Sequence, residues 1–144
     1  MGFQEKIDRR KWKINFWCCL SWCFQKNGRM DFIINSAGLW NIKLLKEKTD
    51  AEIFDEISTN YIGCINAAKA AYHYLKLSHG GLLFFSSSSY IRGREMYSIY
   101  SSTKVAVVNY AQEITDEWAD NGILVNVINP QRTMIPMRLK PFGD

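Results

Sequence analysis

The feature that most limits the fold of this chain is an alternation of short apolar segments with long amphipathic ones. Segments 31–35, 82–86 and 123–129 are short apolar runs bounded by turn residues, which indicates buried strands. Between them, segments 49–77 and 98–120 show the apolar spacing of helices. This order of elements predicts an α/β domain with a parallel sheet, built from two consecutive right-handed βαβ units.

Length and composition favour one folded domain and argue against a nucleic-acid partner. The chain has 144 residues, of which 47% are hydrophobic, so it can bury a core of ordinary size. The net charge is +4, and much of it comes from residues 9–13. Acidic and basic residues are mixed after residue 31, without the basic stripe expected of a nucleic-acid-binding surface.

The cysteines indicate a reducing compartment, and we expect a cytoplasmic protein. Three of the four, Cys18, Cys19 and Cys23, crowd together, and Cys64 stands alone. This spacing fits neither a zinc site nor a disulfide framework, so no metal is expected. The apolar run 14–24 is shorter than the about 20 residues that cross a bilayer, so no membrane partner is expected.

Polar residues follow each predicted strand. Ligands of open parallel sheets bind beyond the carboxyl ends of the strands. This rule brings segments 35–38, 86–89 and 129–133 to one edge of the sheet. Tyr100 lies near the start of the helix that follows the second strand and can reach the same edge. The sequence therefore predicts a site there.

Tyr100 and Lys104 are one helical turn apart, at positions i and i+4. A free tyrosine has a pKa of about 10, and a nearby ammonium favours the phenolate and lowers that pKa. With a serine hydroxyl from the neighbouring loop, such a tyrosine could exchange a proton with an alcohol or a carbonyl while a cofactor exchanges the hydride. The alternative interpretation is a surface pair of no catalytic importance.

The motifs around this pair resemble those of the short-chain dehydrogenase/reductase family. "YSSTK" at 100–104 is preceded by "NSAG", "STNYIG" and "SSSSY" and followed by "INPQRTMIPM", in the order and spacing of the family. The resemblance extends from residue 30 to about residue 138. It implies a doubly wound, Rossmann-like parallel sheet, here only its C-terminal half, and NAD(P)-dependent interconversion of an alcohol and a carbonyl.

The resemblance implies four catalytic residues. Tyr100 matches the acid/base of the family, and Lys104 matches the lysine that lowers its pKa and binds the nicotinamide ribose. Ser87, thirteen residues before Tyr100, matches the catalytic serine, with Ser88 as the second choice. Asn60 matches the helix asparagine that holds a proton-relay water.

The resemblance also implies a cofactor site for NAD or NADP, with NADPH favoured. Asn35, Ala37 and Gly38 match the "NNAG" turn beside the cofactor, although Ser36 replaces its second asparagine. Pro130 and Thr133 match the loop that contacts the nicotinamide carboxamide. Here the family usually has Pro-Gly, and Gln131 replaces that glycine; the threonine often found five residues after the proline is Ile135.

"SSSYIRGREMYSIYSSTK" is similar to reductase domains fused to ribitol-5-phosphate cytidylyltransferases. Those domains are similar to enzymes that reduce ribulose 5-phosphate with NADPH. Four arginines would suit a phosphate substrate, with a solvated face as the equal alternative: Arg92, Arg94, Arg132 and Arg138.

The glycine-rich turn that seats the cofactor diphosphate has no counterpart before Asp31. We therefore expect an atypical segment at 1–30 and a partial reductase domain at 31–144. The rival prediction is a truncated, inactive fragment that acts at most as a dimerisation module. In the family, subunits associate through the helices that correspond to 49–78 and 98–120, so a homo-oligomer is expected.

Overall fold

Three parallel strands form the sheet, in the order in which they occur along the chain. They are β1 (Phe32–Asn35), β2 (Gly81–Phe85) and β3 (Leu124–Ile128). β2 lies between the other two strands. This computed structural model describes residues 12–131 of the chain and the side chains of residues 18–131. The predicted α/β order and the parallel sheet are confirmed.

Two helical segments connect the strands and cover one face of the sheet. The first comprises α2 (Asp50–Ile57), a π-helical turn (Ser58–Ile62) and α3 (Gly63–Ser78), and the second is α4 (Ser98–Trp118). The sequence predicted one uninterrupted helix where the π turn lies. That turn widens the helix by one residue, and it contains Asn60, a candidate site residue.

The first of these helices begins at Thr49, as the sequence predicts. The Thr49 side chain accepts a hydrogen bond from the Glu52 N–H, and the Glu52 carboxylate accepts one from the Thr49 N–H. This reciprocal capping box satisfies two amide groups that the first turn would leave unpaired. Both α3 and α4 end near residues in the left-handed backbone region, His79 (φ 52°) and Gly122 (φ 66°).

The core lies between the sheet and these helices. Strand residues Ile33, Leu82 and Val125 are in register across the sheet and are all buried. Alanines on α3, such as Ala67 and Ala71, are fully enclosed and let the helix approach the sheet closely.

The opposite face of the sheet is apolar and open in the described residues. Phe32 is 75% exposed, and Ile34 and Leu124 are each 62% exposed. Parallel sheets are normally covered on both faces, because their strands are apolar on both sides. The described residues therefore form one half of a doubly wound arrangement.

A further helix, α1 (Trp12–Asn27), precedes the sheet. Leu20, Cys23 and Phe24 pack against the core, and the Phe24 ring lies 5.0 Å from that of Tyr74. A helix that joins the core here was not predicted from the sequence. The predicted division of the chain at residue 30 stays a prediction. None of the helices in the described range is long and apolar enough to cross a membrane.

Candidate active site

The carboxyl end of β1 leads into a turn that its last residue organises. The buried Asn35 side chain accepts a hydrogen bond of 3.2 Å from the Ala37 N–H through Oδ1. Its amide nitrogen lies 3.5 Å from the Cys64 sulfur on α3. The turn containing Ala37 and Gly38 is thus fixed from inside the protein, at the edge where the sequence predicts the site.

The serines after β2 have different partners. Ser86 is buried and donates a hydrogen bond of 2.8 Å from Oγ to the Lys104 carbonyl oxygen. Ser87 accepts hydrogen bonds from Ser89 through both the Ser89 N–H (3.3 Å) and its hydroxyl (3.0 Å). The Ser88 N–H bonds the Pro130 carbonyl oxygen at 3.2 Å, which joins this loop to the end of β3.

Ser87 is the serine that the structure brings to Tyr100. A side-chain hydrogen bond between the two favours the Tyr100 phenolate. Burial acts in the opposite direction and is the stronger effect, so the pKa of Tyr100 is raised above its ordinary value. The Glu56 carboxylate raises the Tyr100 pKa further.

Lys104 is buried beneath Tyr100. Its ammonium donates a hydrogen bond of 2.8 Å to the Phe85 carbonyl oxygen and lies 5.6 Å from the centre of the Tyr100 ring. Burial lowers the pKa of Lys104 itself. The net shift of the Tyr100 pKa in this structure is thus upward rather than downward, because burial of the phenol is its largest cause, and a lowering contribution from Lys104 stays a prediction.

Asn60 is fully buried in the π turn, and its side chain is occupied by protein groups. Oδ1 accepts a hydrogen bond of 2.7 Å from the Leu39 N–H, and Nδ2 donates to the Leu39 carbonyl oxygen (2.8 Å) and to Thr103 Oγ1 (3.2 Å). The Asn60 carbonyl oxygen accepts the Cys64 S–H at 3.1 Å. In the described structure Asn60 joins the loop after β1 to α4, and its role with a relay water stays a prediction.

Two aromatic residues complete the surroundings of Tyr100. The ring centres of Trp40 and Tyr97 lie 5.9 and 6.4 Å from that of Tyr100. The sequence did not single out Trp40 as part of the site. The position of Trp40 two residues after Gly38, which closes the turn at the end of β1, was the available signal.

The described residues fit the nicotinamide end of a dinucleotide better than its diphosphate. The Lys104 ammonium uses one of its three donors on Phe85, and the remaining two suit the hydroxyl groups of a ribose. Between residues 12 and 131 no glycine-rich turn joins a strand to a helix N-terminus, the arrangement that binds a diphosphate. Thr133 lies outside the described residues.

In the described range, no three histidine, cysteine or acidic side chains are grouped so that they could hold a metal ion. The cysteines Cys18, Cys19, Cys23 and Cys64 are all free thiols.

The chain is similar to known proteins of one enzyme family. The profile of the family described as short chain dehydrogenase matches residues 18–141. The bifunctional ribulose 5-phosphate reductase/CDP-ribitol pyrophosphorylase Bcs1 of Haemophilus influenzae is 49% identical over 120 residues, which are 83% of this chain and 25% of that protein. A tropinone reductase homolog of Arabidopsis thaliana is 30% identical over 118 residues, 81% of this chain and 44% of that protein.

Solved structures show the same fold. A structure of ElxO with NADP bound superposes with a TM-score of 0.80 at 26% identity, over 88% of this chain and 52% of that one. A short-chain dehydrogenase from Streptomyces avermitilis gives a TM-score of 0.76 at 24% identity, over 82% of this chain and 44% of that one. The chain thus spans a quarter to about half the length of these proteins.

Proposed function

Because this chain belongs to the short-chain dehydrogenase family, we propose that it interconverts an alcohol and a carbonyl by NAD(P)-dependent hydride transfer. The observation that carries the proposal is the convergence of Ser87, Tyr100 and Lys104 at the carboxyl edge of the sheet. The three side chains come from two different elements, the loop after β2 and the first two turns of α4.

Each of these residues has a role in reduction. The Ser87 hydroxyl orients the substrate carbonyl, and the Tyr100 phenol donates a proton to its oxygen. Because the pKa of Tyr100 lies above its ordinary value of about 10, the phenol carries its proton at neutral pH and has it available to donate. The nicotinamide supplies the hydride when it is bound. Lys104 orients the ribose through its two unused donors, and its positive charge stabilises the phenolate that remains.

We assign the cofactor as NADPH in preference to NADH. Support comes from the NADP bound to ElxO, which shares the fold of this chain. Asn35, Ala37 and Gly38 form the turn beside this site, and Pro130 adjoins the Ser88 loop. Thr133 remains a predicted cofactor contact.

We propose a sugar phosphate, such as ribulose 5-phosphate, as the substrate. Support comes from the similarity to Bcs1, whose name includes a ribulose 5-phosphate reductase. Arg92 and Arg94 are exposed in the loop before α4, and the Arg94 guanidinium lies 5.9 Å from the Tyr97 ring centre. Arg132 and Arg138 lie outside the described residues. Guanidinium groups bind phosphate oxygens in pairs of hydrogen bonds.

We further propose that the protein acts in the cytoplasm and forms a homo-oligomer through helices 49–78 and 98–120. The free thiols support the cytoplasm. Phe54 on α2 is 67% exposed and Val105 on α4 is 46% exposed, which supports association through these helices. No described feature calls for a nucleic-acid partner.

The second candidate function is that of an inactive fragment that serves at most as a dimerisation module. The open apolar face of the sheet, with Phe32 and Ile34 exposed, and the lack of a diphosphate turn among the described residues favour it.

One experiment separates the two candidates. The purified chain is titrated with NADPH and then NADH by fluorescence, and turnover is followed with ribulose 5-phosphate, with ribulose as the matched substrate lacking phosphate. Saturable binding of NADPH, together with turnover of ribulose 5-phosphate but not of ribulose, supports the proposed reductase activity. A folded chain that binds neither cofactor is the inactive fragment.

A further inference from the structure

We propose that Trp40 is a positioning residue for Tyr100, held in place on one side by Asn60 and on the other by the buried ion pair of Glu56 and Lys48. This inference rests on the proposed function only in taking Tyr100 as the acid. The geometry behind it is independent of any cofactor.

Three aromatic rings meet where the loop after β1 contacts the start of α4. The ring centre of Trp40 lies 5.1 Å from that of Tyr97 and 5.9 Å from that of Tyr100, both in tilted orientations. Tyr97 directly precedes α4, and Tyr100 lies in its first turn. Trp40 thus contacts Tyr100 from a different element and limits where its ring can lie.

The peptide groups of the residue before Trp40 are fixed by one side chain. The Asn60 amide accepts from the Leu39 N–H at 2.7 Å and donates to the Leu39 carbonyl oxygen at 2.8 Å. It also donates to Thr103 on α4 at 3.2 Å, and the Thr103 hydroxyl donates to the Tyr100 carbonyl oxygen at 2.7 Å. This chain of bonds connects Leu39 with the backbone of the residue that Trp40 contacts.

The peptide groups of the residue after Trp40 are fixed by an ion pair. Glu56 Oε1 accepts from the Asn41 N–H at 3.2 Å, and the Lys48 ammonium donates to the Asn41 carbonyl oxygen at 2.7 Å. Lys48 and Glu56 bond each other at 2.6 Å, and both side chains are 0% exposed. Glu56 and Asn60 are i and i+4 on one helical segment, so one face of it holds both neighbours of Trp40.

Burying the charges of Lys48 and Glu56 costs free energy, because both groups lose their contact with water. A buried ion pair is often no more stabilising than apolar residues of the same volume. Here each charged group also binds one peptide group of Asn41, so the pair selects a single loop conformation. That conformation sets the Trp40 indole against Tyr97 and Tyr100.

The consequence for Tyr100 is a phenol that is partly shielded from water. Burial is the main cause of its raised pKa, and Trp40 supplies part of that burial. The charged and titratable groups that face Tyr100 are Lys104 below it, Glu56 from α2 and Tyr97 beside it. Replacing Trp40 changes none of these groups, so it changes chiefly the exposure of the phenol.

The test is a pH titration of Tyr100 by NMR in the full chain labelled with isotope-enriched tyrosine, the signal being assigned with Tyr100→Phe. Trp40→Leu lets water reach the phenol, so the Tyr100 pKa falls toward its ordinary value of about 10. Trp40→Phe keeps an aromatic ring, and the Tyr100 pKa stays near that of the unmodified chain. The Trp40 indole N–H has no hydrogen-bond partner in the described structure, so Trp40→Phe removes no hydrogen bond.

A matched control replaces a tryptophan of the core. Trp118→Leu makes the same change as Trp40→Leu at a buried position that packs on Tyr72, and it leaves the Tyr100 titration unchanged. A Tyr100 pKa in Trp40→Leu equal to that of the unmodified chain overturns the inference. A shift of the same size in Trp118→Leu overturns it too, because the effect is then a general loosening of the fold.

The titration needs no cofactor or substrate, so it stands even if the proposed function fails. Where the chain turns over ribulose 5-phosphate, Trp40→Leu lowers kcat by up to about a hundredfold while KM for NADPH stays constant. An unchanged kcat in Trp40→Leu counts against positioning.

Discussion

The Lys104 ammonium on α4 donates a hydrogen bond of 2.8 Å to the carbonyl oxygen of Phe85, the last residue of β2. This bond fixes a buried cation between the end of the central strand and the Tyr100 ring, whose centre lies 5.6 Å away. The lysine therefore ties α4 to the sheet and places a positive charge beside Tyr100, the proposed acid.

Replacing Lys104 by Met separates these two functions. The change leaves the Phe85 carbonyl oxygen unpaired, at a cost of about 1–3 kcal/mol, but it also removes a buried charge, which offsets part of that cost. We expect a modest change in the free energy of unfolding, measured with urea, and a loss of NADPH turnover of about a hundredfold or more. Lys104→Met turnover equal to that of the unmodified chain contradicts the assigned role.

The ion pair of Lys48 and Glu56 predicts strong coupling between the two residues. Lys48→Met leaves the Glu56 carboxylate buried without its partner and destabilises the chain by about 3–5 kcal/mol. Adding Glu56→Leu removes that stranded charge, so the double variant is less destabilised than the sum of the two single variants. Urea unfolding of the four proteins measures this coupling. Strictly additive effects show that the pair does not stabilise the fold as a unit.

The capping box at the start of α2 predicts a stability that depends on pH. The Lys43 ammonium and the Thr49 N–H hold the pKa of Glu52 at about 2, below its ordinary 4.5. A lowered pKa in the folded state means stabilisation that is complete above pH 4.5 and is lost as the pH falls toward 2. The midpoint of thermal unfolding of Glu52→Gln should therefore lie below that of the unmodified chain at neutral pH, and the two midpoints should be equal near pH 2. Equal separation at both pH values rules this linkage out.

The Thr49 side chain tests the same cap at constant pH. Thr49→Ala removes the hydrogen bond that Glu52 N–H donates and destabilises the chain by about 1 kcal/mol. Thr49→Ser keeps the hydroxyl and serves as the matched control. Urea unfolding that fails to distinguish the two variants indicates that the cap contributes nothing.

Thiol reactivity should distinguish the buried cysteine from the exposed ones. Burial raises the pKa of Cys64 to about 11, and the thiolate is the reactive form. Cys18 and Cys19 are exposed and should be alkylated first, with Cys64 last. Mass spectrometry after timed alkylation measures the order, with Cys64→Ala to assign the slow site. Early modification of Cys64 in the folded chain contradicts its described burial.

The sequence predicted most of the fold because its signals are local. Strand β1 was expected at 31–35 and is found at Phe32–Asn35, and α4 was expected at 98–120 and is found at Ser98–Trp118. The π turn escaped prediction, because its shift by one residue at Asn60 leaves no mark in apolar spacing. The resemblance to the family was confirmed by the match to short chain dehydrogenases over residues 18–141.

The parts of the site that sequence reasoning missed depend on burial and on contacts between distant residues. The predicted net direction of the Tyr100 pKa shift was wrong, because the spacing of Tyr100 and Lys104 does not show how deeply the phenol is buried. The contact of Trp40 with Tyr100 joins residues 60 positions apart. The spacing of Glu56 and Asn60 was visible, but nothing local showed that both face the loop containing Trp40.

The central claim, that Tyr100 is the acid of a reductase, is tested most directly by exchanging one hydroxyl at a time. Turnover of ribulose 5-phosphate with NADPH is measured for the unmodified chain, Tyr100→Phe and Tyr97→Phe, with NADPH binding measured in parallel by fluorescence. We predict that all three bind NADPH, that Tyr97→Phe retains turnover and that Tyr100→Phe loses it about a hundredfold or more. Tyr100→Phe turnover equal to that of the unmodified chain contradicts the claim.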